Sequence, residues 1–235
     1  MGNNISIIAH ECIRHINRLD SVTNNIANVD TPGFKAEELY FLRGDSEGFS
    51  GESQLRQIMV TNYSPGVVQK TDNVLDVAIQ GEGFFVVQTK NGLAYTRDGR
   101  FTLNEKRQLV TQEGNYVLGK SGKIVISADN VQISEHGAIN IDGNEVDTLK
   151  IVDFLNLSDL RKIGNGLYQD SAGSAEPSII KNPEIQSGYL ELSNVQAIRE
   201  MVEMINIQRS FESYQKVIQT IQDQDKLSTN RVGKL

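Results

Sequence analysis

The longest periodic stretch of the chain covers residues 193–229 and reads SNVQAIREMVEMINIQRSFESYQKVIQTIQDQDKLST. It contains neither Pro nor Gly, and its apolar residues recur at spacings of three and four, the pattern of one face of an α-helix. They form two displaced stripes, of which the first is Val195, Ile198, Val202 and Ile205, and the second is Met204, Ile207, Phe211, Tyr214, Ile218 and Ile221. The pattern predicts a helix roughly 55 Å long.

Ser193 and Gln196 provide a start signal for this helix. In a capping box, the Ser193 hydroxyl would accept a backbone N–H of the first turn. The Gln196 side chain would reach back to the backbone of the cap residue. We therefore expect the helix to begin at Ser193.

The other end of the chain supplies a second helix with a similar seam. Between residues 3 and 29 the seam residues recur at alternating spacings of three and four without interruption, and His15 is the one polar residue of the seam. The seam consists of Ile5, Ile8, Cys12, His15, Leu19, Val22 and Ile26. Because an amphipathic helix gains most of its stability by burying its apolar face, each helix needs a cover. The pattern predicts that the two helices pack antiparallel as one coiled-coil unit.

The first helix is followed by a turn signal at residues 30–34. Thr31 is pushed out of the helical conformation because Pro32 follows it. Pro32 and Gly33 suit the central positions of a type II turn, the second of which needs a positive φ. We therefore expect the chain to turn here, with Phe34 as an apolar anchor at the exit.

The hydrophobic period changes to two beyond a loop rich in Gly and Ser at residues 43–53. Short strands are predicted at 55–60, 67–69, 75–80, 84–89, 93–96, 101–103, 108–111, 123–126, 131–133, 138–141 and 149–154. Asn91–Gly92 is the strongest hairpin signal, because both residues tolerate the positive φ of a type I′ turn. A helical turn capped by Ser158 and a loop-rich stretch at 164–178 follow. Many short strands separated by turns indicate antiparallel pairing and not βαβ units.

The predicted fold class is therefore α+β, with a mainly antiparallel β domain inserted between long terminal helices. Residues 1–36 together with 187–235 are predicted to form a terminal helical assembly domain. Residues 37–74 are predicted to be a linker or extended segment, and residues 75–186 a β-rich domain.

Composition and charge argue against several classes of function. The net charge is −7 and the pI is about 5.1, and no Lys/Arg patch is evident that could meet nucleic-acid phosphates. No apolar run is long enough to cross a bilayer, and the order of a cleavable signal peptide is missing. We therefore predict protein partners, no membrane insertion, and either cytosolic residence or export without such a signal.

No motif predicts a catalytic residue, a cofactor, a metal ion or a small-molecule substrate. The Gly81-Glu82-Gly83 segment lacks the third glycine of a dinucleotide fingerprint and precedes a strand. His10 and His15 lie on different faces of a helix, and His136 is remote in sequence. Cys12 is the only cysteine and is interpreted as a small buried hydrophobe. Two carboxylates that are distant in sequence could still meet in the fold, so the sequence does not support an enzyme but leaves that alternative open.

Three motifs stand out along the chain. They are NNIANVDTPGFK at residues 24–35, LDVAIQGEGFF at residues 75–85 with YTRDG at residues 95–99, and SGYLELSNV at residues 187–195. In this order they closely resemble the signatures of bacterial flagellar rod and hook proteins. The turn residues of the first signature are Asn25, Ala27, Asn28, Thr31, Pro32, Gly33 and Phe34. The resemblance covers both ends and the middle of the chain.

This resemblance implies a structural, non-catalytic subunit of the flagellar rod, the drive shaft of the basal body. It implies that the terminal helices pack into a tubular core while the β domain faces outward. The implied partners are copies of the chain and homologous rod subunits, and the implied location is the periplasmic space. Proteins of this kind are exported unfolded through the flagellum's own type III apparatus, without a cleaved signal peptide.

Within the family, the chain is too short for a typical hook protein. Its compact length and the region 149–168 favour a proximal-rod type over a distal-rod type. The alternatives are a distal rod or short hook-like axial subunit, and, from another class, a β-rich surface adhesin or binding module. The adhesin would need an exposed aromatic platform, against which 6% aromatic residues and the absence of Trp argue.

The two helical seams supply the predicted assembly interface. It comprises Ile5, Ile8, Cys12, Leu19, Val22, Ile26, Val195, Ile198, Val202, Ile205, Phe211, Tyr214, Ile218 and Ile221. Ile13 and Ile16 add apolar surface beside the first seam, so one antiparallel pair cannot cover every apolar position. A surplus stripe is expected to meet a neighbouring subunit. A head-to-tail contact whose rotation does not close would then produce a helical tube.

Overall fold

The structure is a computed structural model and describes residues 2–43, 55–128, 130–170, 173 and 176–232. Side chains are described for fewer residues, so the predicted seam positions Ile5 and Ile8 lie outside the described side chains. The loop predicted at residues 43–53 also lies almost entirely outside the described residues. The chain forms two units: unit 1 contains Met1–Ala27, Glu37–Val60 and Val195–Leu235, and unit 2 contains Asn28–Ala36 and Thr61–Asn194.

Unit 1 contains two long helices and a pair of strands. Helix α1 spans Gly2–Ala27 and helix α2 spans Ala197–Val232. Strands β1 (Glu37–Arg43) and β2 (Leu55–Thr61) form a two-stranded sheet. The segment predicted as a linker therefore contains regular strands. No helix in the described part of the chain is long and apolar enough to span a membrane.

The start of α2 differs from the capping-box prediction. The helix begins at Ala197, and the Gln196 carbonyl accepts the first helical bond from the Glu200 N–H, at 3.0 Å. Ser193 therefore lies four residues before the helix and is not its cap. Between Ser193 and the helix, the Asn194 side chain accepts from the distant Ala36 N–H, and residues 192–196 form no regular secondary structure.

Helices α1 and α2 contact each other in an antiparallel sense. The Arg18 guanidinium forms an ion pair with Glu203 at 2.8 Å, and the rings of His15 and Tyr214 lie 5.4 Å apart. Residue numbers on α1 therefore fall as those on α2 rise. Near these contacts, Leu19 of α1 and Ile207 and Phe211 of α2 line a common groove.

Unit 2 contains the remaining strands. They are β3 (Val68–Lys70), β4 (Val77–Gln80), β5 (Phe84–Thr89), β6 (Gly92–Thr96), β7 (Phe101–Leu103), β8 (Leu109–Thr111), β9 (Tyr116–Val117), β10 (Val131–Ile133), β11 (Ala138–Ile141), β12 (Asn144–Thr148), β13 (Ile151–Phe154), β14 (Leu160–Gly164), β15 (Leu167–Asp170), β16 (Pro177–Ile179), β17 (Glu184–Ser187) and β18 (Tyr189–Glu191). The α+β class and the antiparallel β domain are confirmed.

The strands of unit 2 pair in several sheets. Among the described residues, the largest sheet runs β14-β15-β6-β5-β9-β8-β7, with β13 pairing both β5 and β16. A second sheet runs β10-β11-β12, and β17 pairs β4 while β18 pairs β3. Every pairing recorded for these strands is antiparallel. Unit 2 also includes residues 28–36 and 187–194, which the predicted division groups with the helices.

Strand β5 lies at the centre of the apolar interior of unit 2. Its side chains alternate between two faces, as in any strand. Phe85 and Val87 belong to one buried apolar cluster, and Phe84 and Val86 belong to a second. Both faces of β5 are therefore buried, which explains why its sequence is continuously apolar instead of alternating.

The predicted hairpin at Asn91–Gly92 forms, but its turn is not of type I′. That type requires positive φ at both central residues, whereas of these two only Gly92 has a positive φ, of 123°. The strand register pairs Thr89 with Gly92, so the loop residues are Lys90 and Asn91. The glycine therefore takes the left-handed conformation just beyond the loop.

Three other local predictions were wrong. Residues 123–126 make only isolated β-bridges and no strand. The loop-rich stretch predicted at 164–178 contains β15 and β16. The helical turn near Ser158 is a 3-10 helix at Leu157–Asp159 whose cap is Asn156, because the Asn156 side chain accepts the Ser158 N–H.

Candidate functional site: the helix pair and the motif junction

The helix pair, formed by α1 and α2 in unit 1, has a covered inner seam. Ile207 is buried, at 3% exposure, and lines an apolar groove together with Leu19 and Phe211. The predicted residues Cys12, Leu19, Ile26, Phe211, Tyr214, Ile218 and Ile221 are half-buried, and Val22 and Val195 are buried. The second of the two stripes on α2 is thus the one that faces α1.

The residues of the first stripe that lie on α2 are exposed. Ile198 is 80% exposed, and Met201, Val202 and Ile205 are 50%, 53% and 47% exposed. Spacings of three and four place these four residues on one face of the helix, and we call this face the exposed stripe. Ile13 and Ile16 on α1 are also exposed. Apolar residues that adjoin one another on a surface are typical of an interaction site.

Polar contacts set the register of the helix pair at several levels. Besides the Arg18–Glu203 ion pair, a hydrogen bond connects Asn25 with the Glu200 carboxyl near the start of α2. Burial raises the pKa of Glu200, and the hydrogen bond from Asn25 partly offsets that rise. The His15 ring contacts Tyr214 further along. A polar residue within a seam favours one register because other registers would leave it without its contacts.

The signature residue Asn25 holds the first strand against α1. Its amide group donates to the Glu37 carbonyl and accepts from the Glu37 N–H, both at 2.9 Å. The Ser21 hydroxyl donates to the same carbonyl at 2.8 Å. Asn25 is buried, at 1% exposure, so its side chain replaces a β-strand partner for Glu37 inside unit 1.

The signature residues Asn28, Thr31, Pro32, Gly33 and Phe34 lie in unit 2, where the sequence motifs meet. We call this place the motif junction and define it as residues 31–36, 62–66, 97–98 and 191–194. The Phe34 N–H donates to the Thr31 carbonyl at 3.2 Å, and Gly33 has a φ of +68°, which confirms the positive φ predicted for the turn. The Gly33 N–H donates to the Glu191 carbonyl at 2.7 Å.

Three charged side chains form the centre of the motif junction. Lys35 Nζ donates to Glu191 Oε1 at 2.6 Å, and Arg97 Nη1 donates to Glu191 Oε2 at 3.4 Å. The three side chains are 1%, 2% and 5% exposed for Lys35, Glu191 and Arg97. Burial lowers the pKa of Lys35, and the neighbouring Glu191 carboxylate works in the opposite direction. Each cation has a second acceptor, the Ser64 carbonyl for Lys35 and the Gly81 carbonyl for Arg97.

Asn194 connects three stretches of backbone at the edge of this cluster. Its Oδ1 accepts from the Ala36 N–H at 2.8 Å. Its Nδ2 donates to the carbonyls of Asn62 and Ser64, at 2.8 and 3.0 Å. Ala36, Asn62 and Asn194 each lie at or next to a residue where the chain passes out of unit 2. The side chain therefore holds three chain exits together.

Phe34 is buried beneath a lysine. The Lys162 ammonium lies 3.7 Å from the centroid of the Phe34 ring and donates to the Lys35 carbonyl at 3.3 Å. A cation over an aromatic face is electrostatically favourable, and more so where water is excluded. Ala27 is exposed, and Asn28, Thr31 and Pro32 complete the turn.

Sequence reasoning missed the polar residues of the junction. Lys35, Arg97, Glu191 and Asn194 lie inside the quoted motifs, but nothing in a local pattern reveals that they meet. The charge of Lys35, Arg97 and Glu191 was the usable signal, since a charged residue that becomes buried needs a partner. In the described part of the chain, no group of three or more His, Cys, Asp or Glu side chains could hold a metal ion.

Comparisons with protein families match the same parts of the chain as the motifs. The flagella basal body rod protein family matches residues 14–35, and the flagellar hook protein FlgE/F/G D1 domain matches residues 78–141. The flagellar basal body rod FlgEFG protein C-terminal family matches residues 186–231. The first match includes the signature turn, and the last includes Glu191, Asn194 and most of α2.

Relatives align over nearly the whole chain. The flagellar basal-body rod protein FlgF of Caulobacter vibrioides is 36% identical over 92% of this chain and 92% of its own length. FlgG of Bacillus subtilis is 36% identical over 86% of this chain and 89% of its own, and FlgG of Borreliella burgdorferi is 32% identical over 86% and 88%. The chain therefore belongs to the family of flagellar basal-body rod proteins. It is a structural subunit of the flagellar rod and not an enzyme, and rod-family membership implies assembly with homologous subunits.

Proposed function

We propose that this rod subunit polymerises through its helix pair, with copies of itself and with homologous rod subunits, into a tubular shaft that transmits torque. In this proposal α1 and α2 form an antiparallel coiled coil, and its outer face joins neighbouring subunits. The observation that carries the proposal is the exposed stripe on α2, with Ile198 at 80% exposure. An apolar helix face of this kind is stabilised when a partner removes it from water.

The two stripes of α2 have different roles in this proposal, one within the subunit and one between subunits. Ile207, Phe211 and Tyr214 close the helix pair within one subunit, because they lie on the seam that contacts α1. Ile198, Val202 and Ile205 are left for a neighbour. Because a different surface must receive them, the contact is heterologous, and a rotation that does not close builds a helical tube.

The assembly domain in this proposal consists of the two helices, with the β1–β2 strand pair attached to α1 through Asn25 and Glu37. The β-rich part, from residue 75 to 186, would face outward. The signature turn serves to anchor the chain next to the end of α1, through Gly33 and Phe34 in unit 2. These roles are structural, as expected for residues of an axial subunit.

The proposed location is the periplasmic part of the rod, reached through the flagellar type III apparatus without removal of a signal peptide. The family places the protein in the flagellum, and the resemblance supports this route. Within the rod we favour a proximal position on the compact length and on region 149–168, with a distal position as the alternative. Co-purification of the chain with each neighbouring rod subunit in turn would distinguish the two positions.

The test of the proposal replaces one residue of the exposed stripe by a charge. Ile205→Asp should abolish incorporation into rods and motility, because a carboxylate cannot be buried without a partner at the subunit contact. It should leave the thermal transition of unit 2 unchanged, since residue 205 belongs to unit 1. Rod incorporation is measured in isolated basal bodies, and the transition by calorimetry of the purified chain.

A matched control adds the same charge elsewhere on α2. Gln215 is exposed and lies outside the exposed stripe, so Gln215→Asp should assemble normally. Normal incorporation of Ile205→Asp would contradict the proposed interface. Equal loss of incorporation in both variants would indicate a general effect of negative charge on α2 and would also contradict it.

A further inference from the structure

The Glu191 carboxylate accepts hydrogen bonds from three donors, two of which are cations. Oε1 accepts from Lys35 Nζ at 2.6 Å and from the Gly66 N–H at 2.9 Å, and Oε2 accepts from Arg97 Nη1 at 3.4 Å. One buried carboxylate is thus the shared ion-pair partner of two buried cations. The carboxylates of Asp153 and Glu82 also act on Arg97, but neither has a hydrogen bond to it among those of the described residues.

The residues around Glu191 come from distant parts of the chain. Lys35 and Glu191 are 156 positions apart, Gly66 and Glu191 are 125 apart, and Arg97 and Glu191 are 94 apart. Backbone bonds join the same stretches: the Leu192 N–H donates to the Val67 carbonyl, and β18 pairs with β3. The Cβ position of Gly66 lies 1.9 Å from the Leu192 carbonyl oxygen, so the two backbones touch.

The contacts that close the motif junction are polar, whereas the core between the β-strands is apolar. Among the described residues, neither of the two buried apolar clusters of unit 2 includes a member of 31–36 or 187–194. Phe84 and Phe85 in β5 and Ile151 in β13 belong to those clusters. Of the junction residues, Tyr63 packs against the second cluster and Arg97 lies over the Phe84 ring. The core can therefore bury its apolar surface before residues 31–36 and 187–194 come together.

Burying Lys35 and Arg97 depends on Glu191. A buried cation without a counter-ion is strongly unfavourable, and removal of one partner of a buried pair is costly for the same reason. Closing a loop between residues so far apart also costs entropy, which must be offset when the contact forms. Closure of the junction is therefore energetically unfavourable until the Glu191 carboxylate is in place.

We propose that the Lys35–Glu191–Arg97 cluster is a lock that closes after the β core has formed and that opens reversibly as a separate unit. Of the three charged residues, Glu191 is the last along the chain, so a chain that emerges with its N-terminus first supplies Glu191 last. Until Glu191 is in place, residues 31–36 stay detached from the core. These residues directly precede β1. This inference concerns unit 2 alone and holds whether or not the helix pair mediates assembly.

Hydrogen exchange of the full chain tests the lock, with Glu191→Gln compared to the wild type. The substitution keeps the shape of the side chain and removes its charge. Peptides that cover residues 31–36 and 189–194 should exchange at least about a hundredfold faster, because both cations lose their counter-ion. Peptides that cover β5 and β13 should exchange at the wild-type rate.

The matched control removes a carboxylate from an exposed ion pair. Lys70 and Asp72 form such a pair, with side chains 60% and 75% exposed, so Asp72→Asn should leave all of these peptides unchanged. Equal acceleration of lock and core peptides in Glu191→Gln would overturn the proposal, because the two would then open together. An unfolded Glu191→Gln chain, or one with unchanged exchange, would overturn it as well.

A second variant tests the sharing of one anion by two cations. Lys35→Met leaves a single cation, Arg97, paired with Glu191. The lock peptides should then exchange faster than in the wild type but more slowly than in Glu191→Gln. If Lys35→Met accelerates them as much as Glu191→Gln, the carboxylate is not the shared element and the proposed lock is wrong.

Discussion

Gly33 lies directly against the backbone of Arg97. A Cβ atom at position 33 would be 2.3 Å from the Arg97 carbonyl carbon, and the φ of Gly33 is +68°. Two independent conditions therefore require glycine here: a left-handed backbone and the absence of a side chain. The signature turn and the YTRDG motif meet at this contact, although they are far apart in sequence.

Gly33→Ala should therefore destabilise unit 2 by about 2–5 kcal/mol, from backbone strain and from the displacement of Arg97. Gly114 provides the matched control, since its φ is +83° and a Cβ there would meet nothing within 4 Å. Gly114→Ala should cost only about 1 kcal/mol. Urea unfolding of both variants measures the difference, and equal losses would mean that the contact with Arg97 is unimportant.

Asn194→Asp should weaken the motif junction without changing its shape. The new carboxylate can still accept from the Ala36 N–H, but it would face the carbonyls of Asn62 and Ser64, which accept hydrogen bonds and cannot donate them. We expect a loss of about 1–3 kcal/mol in the free energy of unfolding. Asn91→Asp, on an exposed hairpin loop, should change it by less than about 0.5 kcal/mol. A loss of the same size in both variants would contradict the role of Asn194.

The lowered pKa of Lys35 predicts a pH dependence of stability. Below its ordinary value of 10.5, and above its lowered value in the folded chain, the unfolded state binds more protons at this residue than the folded state does. The contribution of Lys35 to stability should therefore rise with pH in that window and become constant above it. The groups that face Lys35 are Glu191, which raises its pKa, and Arg97, which lowers it.

Lys35→Met isolates this contribution from those of other alkaline groups, such as Tyr95, whose pKa is raised by burial. The measurement is urea unfolding of the wild type and the variant at a series of pH values below 10.5. The difference between the two free energies should change in favour of the wild type as pH increases. A difference that is independent of pH would show that Lys35 does not titrate differently in the folded chain.

Ile207 and Ile205 should respond differently to the same substitution. Ile207 is 3% exposed and Ile205 is 47% exposed, although they lie two residues apart on α2. Ile207→Asp should destabilise the helix pair by at least about 2 kcal/mol, because a charge would enter the seam. Ile205→Asp should leave the isolated subunit's helicity unchanged. Far-UV circular dichroism during heating distinguishes them, and equal effects would contradict the assignment of inner and outer stripes.

Much of the architecture was predictable from residues that are near one another in sequence. The spacing of apolar residues predicted both helices, and short apolar or alternating runs predicted β5, β7, β10 and β11 with the bounds that the structure has. Gly33 was predicted to have positive φ because Pro32 precedes it and only glycine suits that turn position. The sequence motifs also identified the family. These features depend on local sterics and periodicity, which a sequence displays directly.

Other features were decided only by tertiary structure. Both stripes of α2 are equally apolar in sequence, and only packing against α1 covers Ile207 and leaves Ile205 exposed. Helix α2 begins at Ala197 and not at Ser193, and Asn194, which lies between them, makes side-chain contacts with backbone that is distant in sequence. The burial of Lys35 with Glu191 joins residues 156 positions apart. Sequence patterns cannot reveal such pairs, because a charge enters the interior only where the closed chain brings it a partner.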